Sequence, residues 1–167
     1  FIYVDPARRD GVGNKVVLLQ DCEPNALSLI PYVNKKTSLL IKTSPLLDLD
    51  RAIKELQGVE KIYIVCLKNE VKELLFLKTA LSSEDPSIHV IELSQGNSDL
   101  FSGKKSTELQ AQASYGNPSN FLYEPHAGIL KGGFFKSAGA GLMKIAPNTH
   151  LYTSKELHTN FAGRTFE

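Results

Sequence analysis

The chain has 167 residues, of which 42% are hydrophobic and 22% are charged, a balance typical of one globular domain or two small ones. The formal net charge is +1, so the overall charge does not indicate a nucleic-acid partner, and any basic surface must come from local clusters. Cys22 and Cys66 are too few for a disulfide scaffold or a zinc site and indicate a reducing, cytoplasmic compartment. No apolar run approaches the ~20 residues that span a bilayer, and no signal peptide is visible.

The first half of the chain alternates predicted strands with predicted helices. Short apolar runs predict strands over residues 1–4, 38–42, 61–66 and 88–93, and a further strand or flap over 15–20. Helical spacing predicts helices over residues 25–33, 48–57 and 69–81. The last of these has the clearest period, and the helix over 48–57 is capped by Asp48 or Asp50 and ended by Gly58. Such alternation predicts a mostly parallel α/β sheet over residues 1–95.

The composition changes after Ser94. Residues 96–120 are polar and rich in turn formers, which predicts a linker or a long loop. A strand over 121–123, a helix over 126–137 and extended segments over 142–145 and 151–152 follow. The chain therefore reads as an α/β sheet followed by a small α+β domain over residues 121–167.

The most informative loop follows the first strand. In an open α/β sheet, ligands bind beyond the carboxyl ends of the strands. There, Asp5 would present a carboxylate on a backbone that Pro6 makes rigid. Arg8 and Arg9 could each bind a phosphate or carboxylate through bidentate hydrogen bonds. A strand-end turn with solvated charges explains the same residues equally well. The loop at Thr43, after the second strand, is the other candidate.

Other chemistries find less support in the sequence. The histidines have no metal-ligand spacing to one another or to the cysteines; they are His89, His126, His150 and His158. Neighbouring acids make Cys22 a poor nucleophile, and Ser44 lacks a nucleophile elbow. Lysines interleave with aromatic residues near Phe134 and Phe135, a pattern that suits RNA, although a small aromatic core with solvated lysines explains it too.

A family resemblance rests on the order of several short motifs. Asp5-Pro6-Ala7-Arg8, after an apolar strand, resembles the fourth motif of a group of bacterial class I S-adenosylmethionine-dependent methyltransferases with a ferredoxin-like or THUMP-like C-terminal region. Further segments that are similar to this group and occur in the same order are residues 19–24, 41–48, 69–74, 121–127 and 147–154. The collinear order covers nearly the whole chain.

The resemblance implies a fold and a set of site residues. Residues 1–95 would be the C-terminal half of a Rossmann-like methyltransferase domain, 96–120 a linker, and 121–167 an accessory domain. The implied catalytic residues are Asp5, Pro6, Ala7 and Arg8, of which Asp5 and Pro6 would also contact the cofactor S-adenosylmethionine. The implied substrate-binding residues are Arg9, Lys42, Ser44, Pro45, Lys131 and Lys136.

The sequence also departs from this family. Ala7 and Arg8 replace the second proline and the aromatic of enzymes that methylate exocyclic base nitrogens. The Gly-rich cofactor loop is absent, because Gly11 and Gly13 fit a turn better. The chain begins inside an apolar run and its only methionine is Met143, so we expect a piece of a longer enzyme that is inactive alone.

The resulting hypothesis is a fragment of a methyltransferase that acts on RNA, with no metal and no membrane association. The alternative is a non-catalytic module that binds RNA or protein. A truncated sheet would leave an unpaired edge, so we also expect a homodimer through that edge.

Overall fold

The computed structural model describes residues 1–7, 19–95 and 98–167. The helices are α1 (Leu49–Leu56), α2 (Lys105–Gln110) and α3 (Ala127–Gly132), with 3₁₀ segments at Leu19–Asp21, Ala26–Tyr32, Leu93–Gln95 and Ser137–Gly139. The strands of the first sheet are β1 (Ile2–Val4), β2 (Leu39–Thr43), β3 (Lys61–Leu67), β4 (Glu70–Lys78), β5 (Ser87–Glu92) and β6 (Ser98–Gly103). Those of the second are β7 (Ser114–Tyr115), β8 (Phe121–Pro125), β9 (Met143–Lys144), β10 (Tyr152–Ser154) and β11 (Gly163–Phe166).

The first sheet has the order β1-β2-β4-β3-β5-β6. The pairs β1–β2 and β3–β5 are parallel, whereas β4 is antiparallel to both neighbours and β6 is antiparallel to β5. Four strands, β1, β2, β3 and β5, therefore run in one direction. The α/β prediction is confirmed at this level, but the sheet is mixed rather than mostly parallel.

The predicted helix over 69–81 is wrong, because these residues form β4. Lys68 and Asn69 both have left-handed backbone conformations, with φ of 53° and 60°, and join β3 to β4 in a tight hairpin. Burial then alternates along β4, with Leu74 and Phe76 fully buried. Since residues 74–77 are all apolar, the run satisfies a helical and a strand period alike.

One face of the first sheet carries the main core. Helix α1 begins at its cap Asp48, whose carboxylate accepts a hydrogen bond from the Arg51 N–H at 2.8 Å. It ends at Gln57, in a left-handed conformation, one residue before the predicted Gly58. The predicted helix over 25–33 is a 3₁₀ segment that contains Pro31. Both segments pack on the same face as α3, where the fully buried strand residues include Leu39, Ile41, Ile62, Ile64, Leu74, Phe76, Ile88 and Val90.

The second sheet has the order β11-β8-β10-β9-β7 and a smaller core around Tyr123 and Tyr152. The helix predicted over 126–137 ends early, because Gly133 adopts a left-handed conformation with φ of 79°. The segment 96–120 is not a simple linker: it contributes β6 to the first sheet, helix α2, and β7 to the second sheet. The sequence of strand β6 is largely polar, as is common for a strand at the edge of a sheet.

Helix α3 joins the two sheets. A Cβ added at Gly128 would lie 2.5 Å from Val90 Cγ1 and 2.8 Å from Cys66 Sγ, so the helix approaches the first sheet closely. Ile129 and Phe134 belong to the core of that sheet. Within the described ranges, no helix has the length and apolar character to cross a membrane.

Candidate functional site

The co-oriented strands of the first sheet bring several polar side chains to one edge. Asp5 follows the last residue of β1, and Lys42 lies one residue before the end of the neighbouring β2. Strand β4 runs the opposite way, so its first half, including Glu73, lies at the same edge. This is the edge at which open α/β sheets bind ligands.

Lys42 is the centre of this cluster. Its ammonium lies 2.6 Å from Asp5 Oδ2 and 3.3 Å from Glu73 Oε1. The hydrogen bond to Asp5 raises the pKa of Lys42, and Glu73 adds to this effect, whereas partial burial opposes it. The three side chains, which are 21%, 49% and 40% exposed, carry a net charge of −1 and remain open to a ligand.

The sequence predicted Asp5 and Lys42 but missed Glu73. Glu73 lies in the segment predicted as a helix, and its contact with Lys42 depends on the insertion of β4 between β2 and β3. No local pattern in the sequence reveals that insertion.

The other residues of the first loop are described only in part. Pro6 is buried. The Ala7 N–H donates a hydrogen bond to the Glu23 carbonyl at 2.7 Å, which connects the loop to the residues just before the 3₁₀ segment Ala26–Tyr32. The predicted residues Arg8 and Arg9 lie outside the described residues, as does the glycine segment 11–13.

The loop after β2 forms the neighbouring wall. Ser44 Oγ accepts a hydrogen bond from the Leu46 N–H at 3.2 Å, and the Ser44 carbonyl accepts one from the Leu47 N–H at 3.1 Å. Ser44 and Pro45 are half-buried in this turn. They lie directly after β2, and therefore at the same sheet edge as Lys42.

Lys131 and Lys136 line a separate cleft of about 790 Å³ between α1, α2 and α3. Lys131 Nζ donates to the Leu47 carbonyl at 2.8 Å, and burial lowers the pKa of Lys131. Lys136 Nζ donates to the Leu109 carbonyl at 3.2 Å. Because Leu47 follows the Ser44 turn, this cleft adjoins the loop at the end of β2. The two neighbouring phenylalanines have different environments. Phe134 is buried in the core, whereas the ring of Phe135 stacks on His150.

A second polar cluster, also missed from the sequence, lies where α3 meets the carboxyl end of β5. Buried Glu92 accepts hydrogen bonds from the N–H groups of Lys68, Asn69 and Ser94, from Ser94 Oγ and from His126 Nε2. Burial acts to raise the pKa of Glu92, but the bonds from Ser94, Asn69 and Lys68 outweigh it and hold the pKa at about 2. The Gly128 N–H donates to His126 Nδ1, so both ring nitrogens of His126 have partners.

The Glu92 cluster therefore has a structural role. Its hydrogen bonds connect the β3–β4 hairpin, the end of β5 and the start of α3. The described residues contain no group of three or more His, Cys, Asp or Glu side chains that could hold a metal ion. Burial, with a smaller contribution from the charge of Glu92, raises the pKa of the Cys66 thiol to about 12, which makes it unreactive at neutral pH.

Comparison with known proteins gives a family match for part of the second sheet and one similar solved structure for the whole chain. Residues 121–161 match the family model of a ferredoxin-like domain. The whole chain is similar to the crystal structure of a candidate methyltransferase from Porphyromonas gingivalis W83, with a TM-score of 0.85 and 36% sequence identity. The match covers 99% of this chain but 42% of that chain, so this chain spans less than half of that relative. No curated protein gives a significant match.

Proposed function

We propose that the chain is part of a cytoplasmic S-adenosylmethionine-dependent methyltransferase and supplies one wall of its catalytic site. The observation that carries this proposal is the cluster of Asp5, Lys42 and Glu73 at the ligand-binding edge of the sheet. The cluster occurs in a chain that is 36% identical, over nearly all of its length, to a candidate methyltransferase.

The class I, Rossmann-like assignment is part of the same proposal. Its support is the set of four co-oriented strands and the crossover from β2 to β3 through α1. We assign the methyltransferase portion to residues 1–95, extended by β6, and the accessory portion to residues 121–167. The ferredoxin-like match over 121–161 supports the second assignment, whereas THUMP-like character rests on the sequence resemblance alone.

The charge of the site suits the proposed methyl donor. S-adenosylmethionine supplies a methyl group that is already activated on a positively charged sulfonium. Two carboxylates against one ammonium give the cluster a net negative charge, which favours a cation beside it. Asp5 and Pro6 would lie against the donor, with the buried proline fixing the backbone of the loop.

The residues of this chain would act mainly by positioning. Lys42 orients the carboxylate of Asp5 through the 2.6 Å contact. Asp5 would then accept a hydrogen bond from the N–H or O–H group that receives the methyl. Arg8 and Arg9 would hold a phosphate of the acceptor, and Ser44 and Pro45 would form the adjacent wall.

We propose RNA as the acceptor. Lys131 and Lys136 line one cleft beside the Ser44 loop, together with apolar side chains such as Ile53 and Phe135. The lysines would contact phosphates and Phe135 a base, in a cleft whose four lysines are balanced by four acids. The alternative is a non-catalytic module that binds RNA or protein. This alternative is supported by the partial coverage, since the chain spans less than half of the solved relative.

Two measurements test the proposal. Calorimetric titration of this chain with S-adenosylmethionine should show no binding, because the donor's glycine loop is not among its motifs; micromolar affinity would contradict that inference. The second uses a chimera in which this chain replaces the matched part of the P. gingivalis protein. We expect the chimera to transfer labelled methyl groups to RNA.

In that chimera, Asp5→Ala should reduce methyl transfer by about 10- to 100-fold, the equivalent of one charged hydrogen bond. Glu70→Ala is the matched control, because Glu70 is an exposed acid whose ion-pair partner is Lys72, outside the proposed site. Equal loss in both variants would contradict the role of Asp5. A folded chimera that binds RNA without transferring methyl groups would favour the non-catalytic alternative.

A further inference from the structure

A cleft of about 370 Å³ lies between the two sheets. On the side of the first sheet it is lined by Lys68 and Asn69, in the β3–β4 hairpin. On the side of the second sheet it is lined by Arg164 on β11 and by Phe161, just before that strand. Members of the Glu92 cluster line it as well. The cleft is therefore completed only by both parts of the chain, and such positions are common for ligand sites.

A second cavity, of about 460 Å³, continues from this cleft. The two cavities share Leu100 on β6 and Phe161, and together they form what we call the inter-sheet groove. The second cavity is lined by apolar side chains such as Leu142 and by the polar residues 158–160. Apolar walls with a few polar groups suit a flat ring that has polar edges. The groove therefore has a charged half and a half that is suited to a planar group.

The charged half contains hydrogen-bond donors that are not used within the chain. Lys68 is exposed, and its ammonium has no ion-pair or hydrogen-bond partner among the described residues. The side chain of Asn69 accepts a hydrogen bond from the Ala127 N–H, which leaves its NH₂ group without a partner in the same ranges. Arg164 donates to Glu124 through Nε and Nη2, so its Nη1 is still available.

Two acids lie near these donors, and both already have partners. Glu92 is buried and accepts the five hydrogen bonds described above. Glu124 forms an ion pair with Arg164. The formal charges of these two acids cancel those of Lys68 and Arg164, but only the cationic side chains have donors to spare. A ligand that supplies acceptors is therefore favoured, and phosphate oxygens are strong acceptors for ammonium and guanidinium groups.

We propose that the inter-sheet groove binds a nucleotide. Its phosphate lies between Lys68 and Arg164, where both cations can donate to it. Its base lies at the junction of the two cavities, against Phe161 and Leu100, because bases stack on aromatic rings. A free nucleotide and a nucleotide within an RNA strand present these same groups.

The groove is separate from the Asp5–Lys42–Glu73 cluster. Both lie at the edge where β1, β3 and β5 end, but β1 and β5 are four strand spacings apart, which is about 19 Å. Nucleotide binding in the groove does not depend on the proposed function, because it requires no methyl donor. A chimera that binds a nucleotide but transfers no methyl group would contradict the proposed function and leave this inference intact.

The first test is titration of the whole chain with adenosine monophosphate, followed through the backbone amide signals in NMR spectra. We expect a dissociation constant of about 1 mM or below, with shifts concentrated at groove residues such as Lys68, Leu100 and Arg164. Inorganic phosphate should bind at least about 5-fold more weakly, because it has no base to stack. Equal affinity for inorganic phosphate, or an absence of shifts in the groove, would overturn the proposal.

A single-stranded RNA of about 10 nucleotides, enough for one binding site, distinguishes the two sources of the nucleotide. Tighter binding than that of the monophosphate would identify an RNA strand as the ligand, and equal binding would identify a free nucleotide. A sugar–phosphate strand of the same length without bases should bind at least about 5-fold more weakly than the RNA. If the RNA binds and the strand without bases binds equally well, the assignment of a base to the groove is wrong.

Lys68→Gln tests the phosphate contact, because it removes the charge and keeps the length of the side chain. It should weaken nucleotide binding by about 10-fold or more, the equivalent of one charged hydrogen bond. Lys72→Gln is the matched control: Lys72 lies on the adjoining strand β4, pairs with Glu70 at 2.6 Å and does not line the groove. Equal losses in the two variants would show that binding follows overall charge, and would overturn the proposal.

The chimera with the P. gingivalis protein tests whether the groove is open in the longer protein. Nucleotide binding should persist in the chimera and should show the same dependence on Lys68. Binding by this chain that disappears in the chimera would show that the remainder of the longer protein fills the groove, and would overturn the proposal.

Discussion

Glu92→Gln should destabilise the protein in a pH-dependent way. Glu92 is 3% exposed, and every group that contacts its carboxylate in the Glu92 cluster is a hydrogen-bond donor. A glutamine at this position keeps the shape of the side chain but loses the charge. Its NH₂ group would also face the N–H of Ser94 or of the β3–β4 hairpin, which leaves buried donors without acceptors.

The magnitude follows from the pKa of Glu92. The pKa lies at about 2 in the folded protein and has an ordinary value of 4.5. Each pKa unit is worth 1.36 kcal/mol, so the ionised carboxylate contributes about 3 kcal/mol to the free energy of unfolding. Because the folded-state pKa is depressed, this contribution is fully present above pH 4.5. It is lost as the pH falls from about 4.5 towards 2.

The assay is urea unfolding followed by far-UV circular dichroism between about pH 2 and 7. At pH 7 the variant should be about 3 kcal/mol less stable than the wild type. The difference should shrink steadily below pH 4.5 and nearly vanish at pH 2. Glu70→Gln is the control, since the Glu70 side chain is 72% exposed and should give a small, pH-independent change. Parallel stability profiles for wild type and Glu92→Gln would refute this account of the cluster.

The remaining predictions concern neighbouring contacts. Gly128→Ala should cost about 1–3 kcal/mol in urea unfolding, because the new methyl would overlap Val90 and Cys66; an unchanged midpoint would show that α3 can move away. The Cys66 thiol, with a pKa near 12, should stay unreactive towards Ellman's reagent at pH 8 until urea unfolds the chain. Asn69→Gly should preserve the left-handed turn but lose the hydrogen bond from the Ala127 N–H to Asn69 Oδ1 at 2.8 Å, at a cost of about 1 kcal/mol in the same urea assay, with Asn69→Ala destabilising more.

Local sequence signals were sufficient where an element is defined by its own residues. The strands predicted over 1–4, 38–42, 61–66 and 88–93 correspond to β1, β2, β3 and β5 within two residues, because each is a short apolar run bounded by turn formers. Helix α1 was predicted for a similar reason, since Asp48 caps it. Such elements need no knowledge of their neighbours.

Prediction failed where the structure depends on distant partners. Strand β6 has a polar sequence and exists because β5 supplies its hydrogen bonds. Strand β4 was mistaken for a helix because apolar side chains on both faces of a strand remove the alternation that identifies it. At the site, Asp5 and Lys42 follow from strand ends, but Glu73 and Glu92 acquire their partners through sheet order and through the docking of α3.

The misread strand connects the main features of the molecule. Glu73 on β4 contacts Lys42 at the candidate site, and Leu74 and Phe76 on the same strand are fully buried in the core. Asn69 lies in the hairpin directly before β4. Its backbone N–H donates a hydrogen bond to Glu92, and its side-chain Oδ1 accepts one from the N–H of Ala127 at the start of α3. The register of β4 is set at this end by an irregularity that pairs Val65 with Glu73 but Cys66 with Val71. Because a slip by one residue would exchange the two faces of the strand, it would remove the Lys42 contact and the core packing together. The site and the core therefore depend on one strand pairing, which explains why the sequence did not reveal the role of Glu73.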